Sequence, residues 1–389
     1  MSDDMLEWAR RTGQTIRQMT PGTLGGTLRP AAPPRTTPLP TTTRVRPTPS
    51  GGGMPTVVIA ASDASDLSKS KADYICTGTN DQTTLNAAIA AHGSFGFIRV
   101  ALTEGTFNIA AAVSNVTQLT GCGWSTSLNF TQSFGGIAMR FAYASDLFFN
   151  GNGNELQTIQ LDGFMDNCYF YDFVTAAPTN PLLNAVGAQV SNCYFEDIAG
   201  LAYRGLECSL VATYFTGCAV AVDNRSVNVS ACHFTGCETG VLNTATGSHA
   251  TVSASIFRDT GKCVDATQNM NVSGNVFRQM PAGAVTIKSS ISGGAVVIAD
   301  NLFVCSEDDT IAVLCANGGA SPDGPTITGN RIIMDDSGGT PDRPIVVESN
   351  VQDTLVSNND FRNGPANPID DSGTGTSTGA GNFINGTWV

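Results

Sequence analysis

The sequence predicts an all-β chain wound as a right-handed parallel β-helix, and three observations carry that prediction. A six-residue phrase returns nine times between positions 165 and 361. The apolar residues that end the copies fall at 170, 195, 215, 234, 257, 277, 303, 332 and 361, so the step is 19 to 29 residues, the length of one solenoid coil. A second phrase, a small residue or Pro followed by apolar residues at alternate positions, trails most copies.

The repeated phrase is clearest as Val229–Phe234 (VSACHF), Val252–Phe257 (VSASIF), Val272–Phe277 (VSGNVF) and Val356–Phe361 (VSNNDF). Its first residue and its Phe are five apart, so a straight strand would send them to opposite faces. A bend between them lets both point inward. Asn at the fourth position suits such a bend, since Asn tolerates left-handed angles. Asn275, Asn301, Asn330 and Asn359 would then stack coil over coil, and earlier coils place Cys168, Cys193, Thr213, Cys232 and Ser255 there. The trailing phrase appears in Gly240-Val241-Leu242, in Ala284-Val285-Thr286-Ile287 and in Pro344-Ile345-Val346-Val347, short strands that supply another wall. Irregular steps with a constant phrase place insertions in loops while one corner is kept.

Composition agrees. The chain has 389 residues, 41% hydrophobic and only 14% charged, with 42 Gly. The net charge is −13, yet residues 1–53 hold seven Arg against three acids, which leaves −17 on the remainder. An acidic body argues against nucleic acid or an anionic membrane surface as a partner. There is no apolar run long enough to span a membrane and no signal-like start, so a soluble protein made in a cytoplasm is expected. The eleven Cys include no C-x-x-C, and the three His lack zinc-ligand spacing; free thiols are expected, buried at Cys168, Cys193 and Cys232. The sequence calls for no cofactor.

Four segments follow in order. Residues 1–19 have a short helical pattern through Met5, Ala9, Thr12, Ile16 and Met19, which would order only on a partner. Residues 20–53 turn to Pro, Thr, Gly and Arg and read as an extended linker. Residues 54–94 hold a strand (56–60) and a helix from Asp81 to Ala91. Asn80 or Asp81 would cap that helix, Leu85, Ala88 and Ile89 would form its apolar face, and Gly93 would end it. An open solenoid end needs a cover, and this helix is the natural one. Residues 95–389 are the β-helix.

Within these segments a resemblance becomes specific. The run VVIAASDAS with KADYICTGTNDQTTLNAAIAA (57–91) looks like the opening segment of pectin-lyase-like β-helices in tail proteins of phages that infect actinobacteria. Gly105-Thr106-Phe107 and Leu119-Thr120-Gly121-Cys122-Gly123 resemble the first turns of that superfamily. The resemblance covers about residues 56–389. It implies a virion protein, a minor tail protein or short tail fibre, located in the tail. Residues 1–53 would join it to other tail proteins, and the β-helix would project toward a host cell-surface glycan. The superfamily also contains polysaccharide lyases, hydrolases and tailspike depolymerases, so a depolymerase is the alternative.

Candidate chemistry is sparse. Asp172, Glu196 and Asp197 each follow a repeat Phe on consecutive coils and would lie one rung apart on the outside, as a glycosidase pair requires. Solvated turns collect the same residues. Glu307, Asp308 and Asp309, with Asp335 and Asp336 on the next coil, could ligate Ca²⁺ or simply line solvated loops. The position before each repeat's last residue is more informative. It holds Tyr169, Tyr194, Tyr214, His233, Ile256, Val276 and Leu302, an outward stripe of one apolar or aromatic residue per rung. Three readings compete: a seam between copies in a homotrimer, a surface covered by the chain's own loops such as 171–189, or a platform for sugar rings.

Overall fold

The computed structural model describes residues 56–92, 98–175, 180–243, 249–290, 295–305, 310–316, 324–334, 343–349, 351–379, 381–385 and 387–388. They form a right-handed parallel β-helix of about 11 turns. The helical segment of residues 1–19, the linker of 20–53 and Gly93 lie outside the described residues.

Each coil contributes three strands to three walls. One coil runs through Gln189–Ser191, Tyr194–Ala199 and Leu201–Leu206, and the next begins at Ser209–Val211. Every wall pairs in parallel, and each has its own inward column. In the first wall Val190, Leu210, Val229, Val252, Val272, Ile298, Ile327 and Val356 stack in register. The second wall, here the Phe sheet, stacks Phe149, Phe170, Phe195, Phe215, Phe234, Phe257, Phe277 and Phe303, all essentially buried. Their ring centroids are 4.5–5.1 Å apart from Phe149 to Phe303. The third wall stacks Leu183, Tyr203, Val222, Val241, Val264, Ile287, Val313, Ile345 and Ile369, where the trailing phrase placed its strands. Apolar burial along these three columns is the main stabilising term, as in any solenoid whose rungs cannot close a core alone.

The corner between the first wall and the Phe sheet works as expected, with one correction. The left-handed residue is the third of the phrase, at Asn192, Ala212, Ala231, Ala254, Gly274, Asp300, Gly329 and Asn358, not the fourth. The fourth residue keeps ordinary angles because its side chain points inward and makes the ladder. Asn275 donates from its backbone N–H and its Nδ2 to Asn301 Oδ1 at 2.9 and 3.0 Å, and Nδ2 also reaches the Val252 carbonyl. The same set repeats from Asn301 to Asn330, from Asn330 to Asn359, and on to Asn382, a rung the phrase did not reveal. Five buried amides thus stay satisfied without water. Upstream, the thiols of Cys168, Cys193 and Cys232 fill the same position, fully buried, and donate to the carbonyls of Asp166, Ser191 and Ser230. Burial pushes the Cys232 thiol up to about 12.

The strand Thr56–Ala60 pairs in parallel with Arg99–Leu102, so it forms the first rung of the first wall. The helix Gln82–His92 buries Leu85, Ala88 and Ile89 in the same core as Val57 and Ile59. Asp81 holds the N-cap position, its carbonyl accepting from the Leu85 N–H at 3.1 Å, but its side chain does not bond the helix N–H groups. Its carboxylate is fully buried and accepts from the backbone N–H of Gly78 and of Asn108, both at 2.8 Å, which ties the helix start to the first coil. A second helix, Asp66–Lys71, was not legible in the sequence; Ser65 caps it by accepting from the Ser68 N–H.

Candidate functional site

The outer surface of the Phe sheet carries two side-chain columns, because residues on either side of an inward Phe must point out. The column before the Phe runs Phe148, Tyr169, Tyr194, Tyr214, His233, Ile256, Val276, Leu302, Arg331 and Asp360, each paired in register with the next. The stripe read from the sequence is therefore continuous. The column after the Phe runs Tyr171, Glu196, Thr216, Thr235, Arg258, Arg278 and Val304.

The stripe is half-buried within one chain, and its own rings do much of the covering. Tyr194 and Tyr214 stack at 4.7 Å with 6° between their planes, and His233 stacks on Tyr214 at 4.7 Å. Stacked rings hide their faces from solvent and leave their edges out. Of the segment 171–189, residues 176–179 lie outside the described residues, and the strands on either side of them belong to the Phe sheet and the third wall of their own coil rather than lying over the stripe.

At its N-terminal end the ladder is different. Trp124, on the corner of an earlier coil, reaches Tyr169 at 5.5 Å and meets Tyr194 edge-on at 5.8 Å. It is 41% exposed, and sequence reasoning missed it because it stands outside the repeat phrase. Phe148 lies 5.1 Å from Tyr169. The Tyr169 hydroxyl donates to the Glu196 carboxylate. Burial first, then that bond, holds the phenol protonated well above its usual range. A partly exposed indole packed on Tyr169, whose hydroxyl in turn holds the Glu196 carboxylate, offers what a polyhydroxylated ligand needs: apolar surface of a ring, and an acceptor for hydroxyls.

Of the three candidate carboxylates, Asp172 and Asp197 lie opposite each other on adjacent rungs, as their spacing predicts, while Glu196 does not face Asp172. Glu196 pairs with Tyr171 rather than with Asp172. Asp172 and Asp197 sit at equivalent left-handed corners, φ 56° and 54°, where Asp is favoured for the turn itself. The next two coils have Gly217 and Gly236 at that corner. The missing side chains open a shallow depression of about 390 Å³ bordered by Asp197, Gly217, Gly236 and Glu238.

Farther along, burial and the charge of Arg278 bring His233 down to about 4, so its ring is neutral near pH 7. On the third wall, Asp223 is nearly buried between Arg204 at 2.6 Å and Arg225 at 3.4 Å, and Asp265 bonds Lys262 at 2.9 Å. Glu307, Asp308, Asp309, Asp335 and Asp336 lie outside the described residues. Among the described residues no group of three His, Cys, Asp or Glu is placed to hold a metal ion, and no helix is long and apolar enough to cross a membrane.

No protein-family model matches the chain, and no curated protein matches it in sequence. Solved structures do match. A tailspike protein of E. coli bacteriophage HK620, solved with a pentasaccharide, shares 14% identity over 79% of this chain, with a TM-score of 0.47. This chain spans 63% of that tailspike, less than two thirds of its length. The mannuronan C-5 epimerase AlgE4 A-module of Azotobacter vinelandii shares 15% identity over 77% of this chain and 96% of its own, with a TM-score of 0.47. At such identities the likeness is one of fold alone.

Proposed function

We propose that this chain is a phage tail protein, a minor tail protein or short tail fibre of an actinobacterial phage, that binds a host cell-surface glycan. The observation that carries the binding part is the exposed Trp124 side chain, packed against Tyr194 and against Tyr169 of the Tyr169–Glu196 pair. The virion part rests on the sequence: a basic, Pro-rich arm at residues 1–53 ahead of an acidic β-helix, together with the resemblance of residues 57–130 to tail proteins. Residues 1–53 join other tail proteins in this reading, and the chain forms a homotrimer.

The test is binding of purified protein to host envelope polysaccharide by isothermal titration calorimetry. Trp124→Ala is expected to weaken binding about tenfold or more, since a base-like stacking contact of one aromatic ring is worth 1–3 kcal/mol in other ligand systems and the ring's other neighbours remain. Unchanged affinity in Trp124→Ala would overturn this site. The same incubation, assayed for new reducing ends or unsaturated products, addresses the depolymerase alternative. That reading draws on the depression between Asp197 and Glu238; release of products that persists in Asp197→Asn and Glu238→Gln would remove its support.

A further inference from the structure

We propose that Arg258 and Arg278 form an anion site on the outer face of the Phe sheet, which takes a phosphate group carried on a glycan chain. The glycan half of this statement rests on the reading of the same face given above; the anion half stands on its own geometry.

The body of the protein is acidic, at −17 outside residues 1–53, so an arginine there has carboxylates within easy reach. Others use them. Arg140 pairs with Asp162, Arg204 and Arg225 with Asp223, and Arg331 and Arg362 with Asp360. Arg258 and Arg278 do not: among the described residues neither has an ion pair. They also face each other directly in the parallel ladder, one rung or about 4.8 Å apart. Like charges opposed across a ladder destabilise a sheet. Arg278 Nε is, in addition, buried without a hydrogen-bond partner. Two uncompensated guanidinium groups side by side, one with an unmet buried donor, make a site that an oxyanion would complete.

Phosphate fits best. Each guanidinium presents a planar fork of donors, and a tetrahedral anion can accept from two forks that approach from different sides. Thr235 precedes Arg258 in the same column, which puts a hydroxyl on the next rung. His233, in the neighbouring column, is held neutral and adds no competing charge. Glu196, Thr216, Thr235 and Arg258 occupy successive rungs of one column, so the site lies about 14 Å along the axis from the Glu196 end of the aromatic surface. A chain laid along that surface would meet an aromatic platform first and the arginine pair after it.

The experiment measures thermal unfolding in inorganic phosphate against chloride at matched ionic strength. Wild type is expected to gain about 2 °C or more in phosphate, by mass action on the folded state. The double variant Arg258→Gln, Arg278→Gln is expected to melt above wild type in chloride, since the repulsion is gone, and to lose the phosphate response. Arg258→Gln alone, an exposed position that cannot disturb the core, should halve the response or more. No phosphate response in wild type, or an equal response in the double variant, overturns the anion site. A synthetic glycerol-phosphate hexamer separates the sources: binding at least tenfold tighter than inorganic phosphate supports the polymer, and equal affinity overturns that half. Should envelope polysaccharide bind wild type and double variant alike while phosphate has no effect, the glycan reading stands and this one falls.

Discussion

His233 shows how one residue couples the outer face to stability. It stacks on Tyr214, pairs in register with Ile256, and lies near the Arg278 charge, and these surroundings favour the neutral ring. Its folded-state value of about 4 lies below the ordinary 6.5. The unfolded chain therefore takes up the proton first as pH falls. The contribution is complete above pH 6.5, is lost between 6.5 and about 4, and changes no further below that. A shift of this size corresponds to at most about 3 kcal/mol. The expected result is a urea midpoint that drops from pH 7 to pH 4.5 more steeply in wild type than in His233→Phe, which keeps the stack and cannot ionise. Parallel pH profiles for the two proteins would show that His233 does not ionise in this window.

At the scale of the element, the corner decides what the sequence could and could not reveal. Periodicity exposed the Phe and Val columns because each must be apolar on every rung, and a core position leaves that mark in any sequence. The corner was legible as a cluster of small and polar residues, but not in its division of labour. Asn358 and Asn359 are adjacent and chemically identical, yet only backbone angles tell which turns the chain. Asn358 takes φ +55° and is exposed. Asn359 is buried and accepts at Oδ1 from the Asn330 N–H and Nδ2, each at 3.0 Å, while its own Nδ2 reaches the Ile327 and Ser357 carbonyls. Asn359→Ala strands several buried groups and is expected to cost about 3 kcal/mol. Asn358→Gly, at a left-handed position, is expected to change stability by less than about 1 kcal/mol. Chemical denaturation of the two variants checks this, and equal losses would refute the assignment of roles. Trp124 was hidden for the opposite reason: a residue used once, on a corner outside the repeat, leaves no periodic trace. The carboxylates show the same limit: spacing put Asp172 and Asp197 one rung apart, as they are, but could not tell that Glu196, one residue earlier in the same strand, faces Tyr171 instead.

At the scale of the whole molecule, the stripe can serve as a seam between copies or as a ligand face, and one surface cannot do both. A seam along Ile256 and Val276 would bring Arg258 and Arg278 of every copy toward the same axis. In a homotrimer that places six guanidinium groups together, none of which has an ion pair within its own chain among the described residues, a cost that half-buried Ile and Val side chains would have to exceed. The need for cover is also smaller than the sequence suggested, because the rings from Tyr194 to His233 shield one another and none of the stripe residues is strongly exposed. We therefore expect the homotrimer to hold its copies together elsewhere, with the stripe facing solvent. The double variant Ile256→Asp, Val276→Asp tests this, since the inward Phe257 and Phe277 are untouched and the coil should still fold. Light scattering is expected to give the same mass as wild type, with host polysaccharide binding altered. A fall from trimer to monomer would identify the stripe as the seam and withdraw the face from glycan and anion alike; a monomeric wild type would remove the trimer itself.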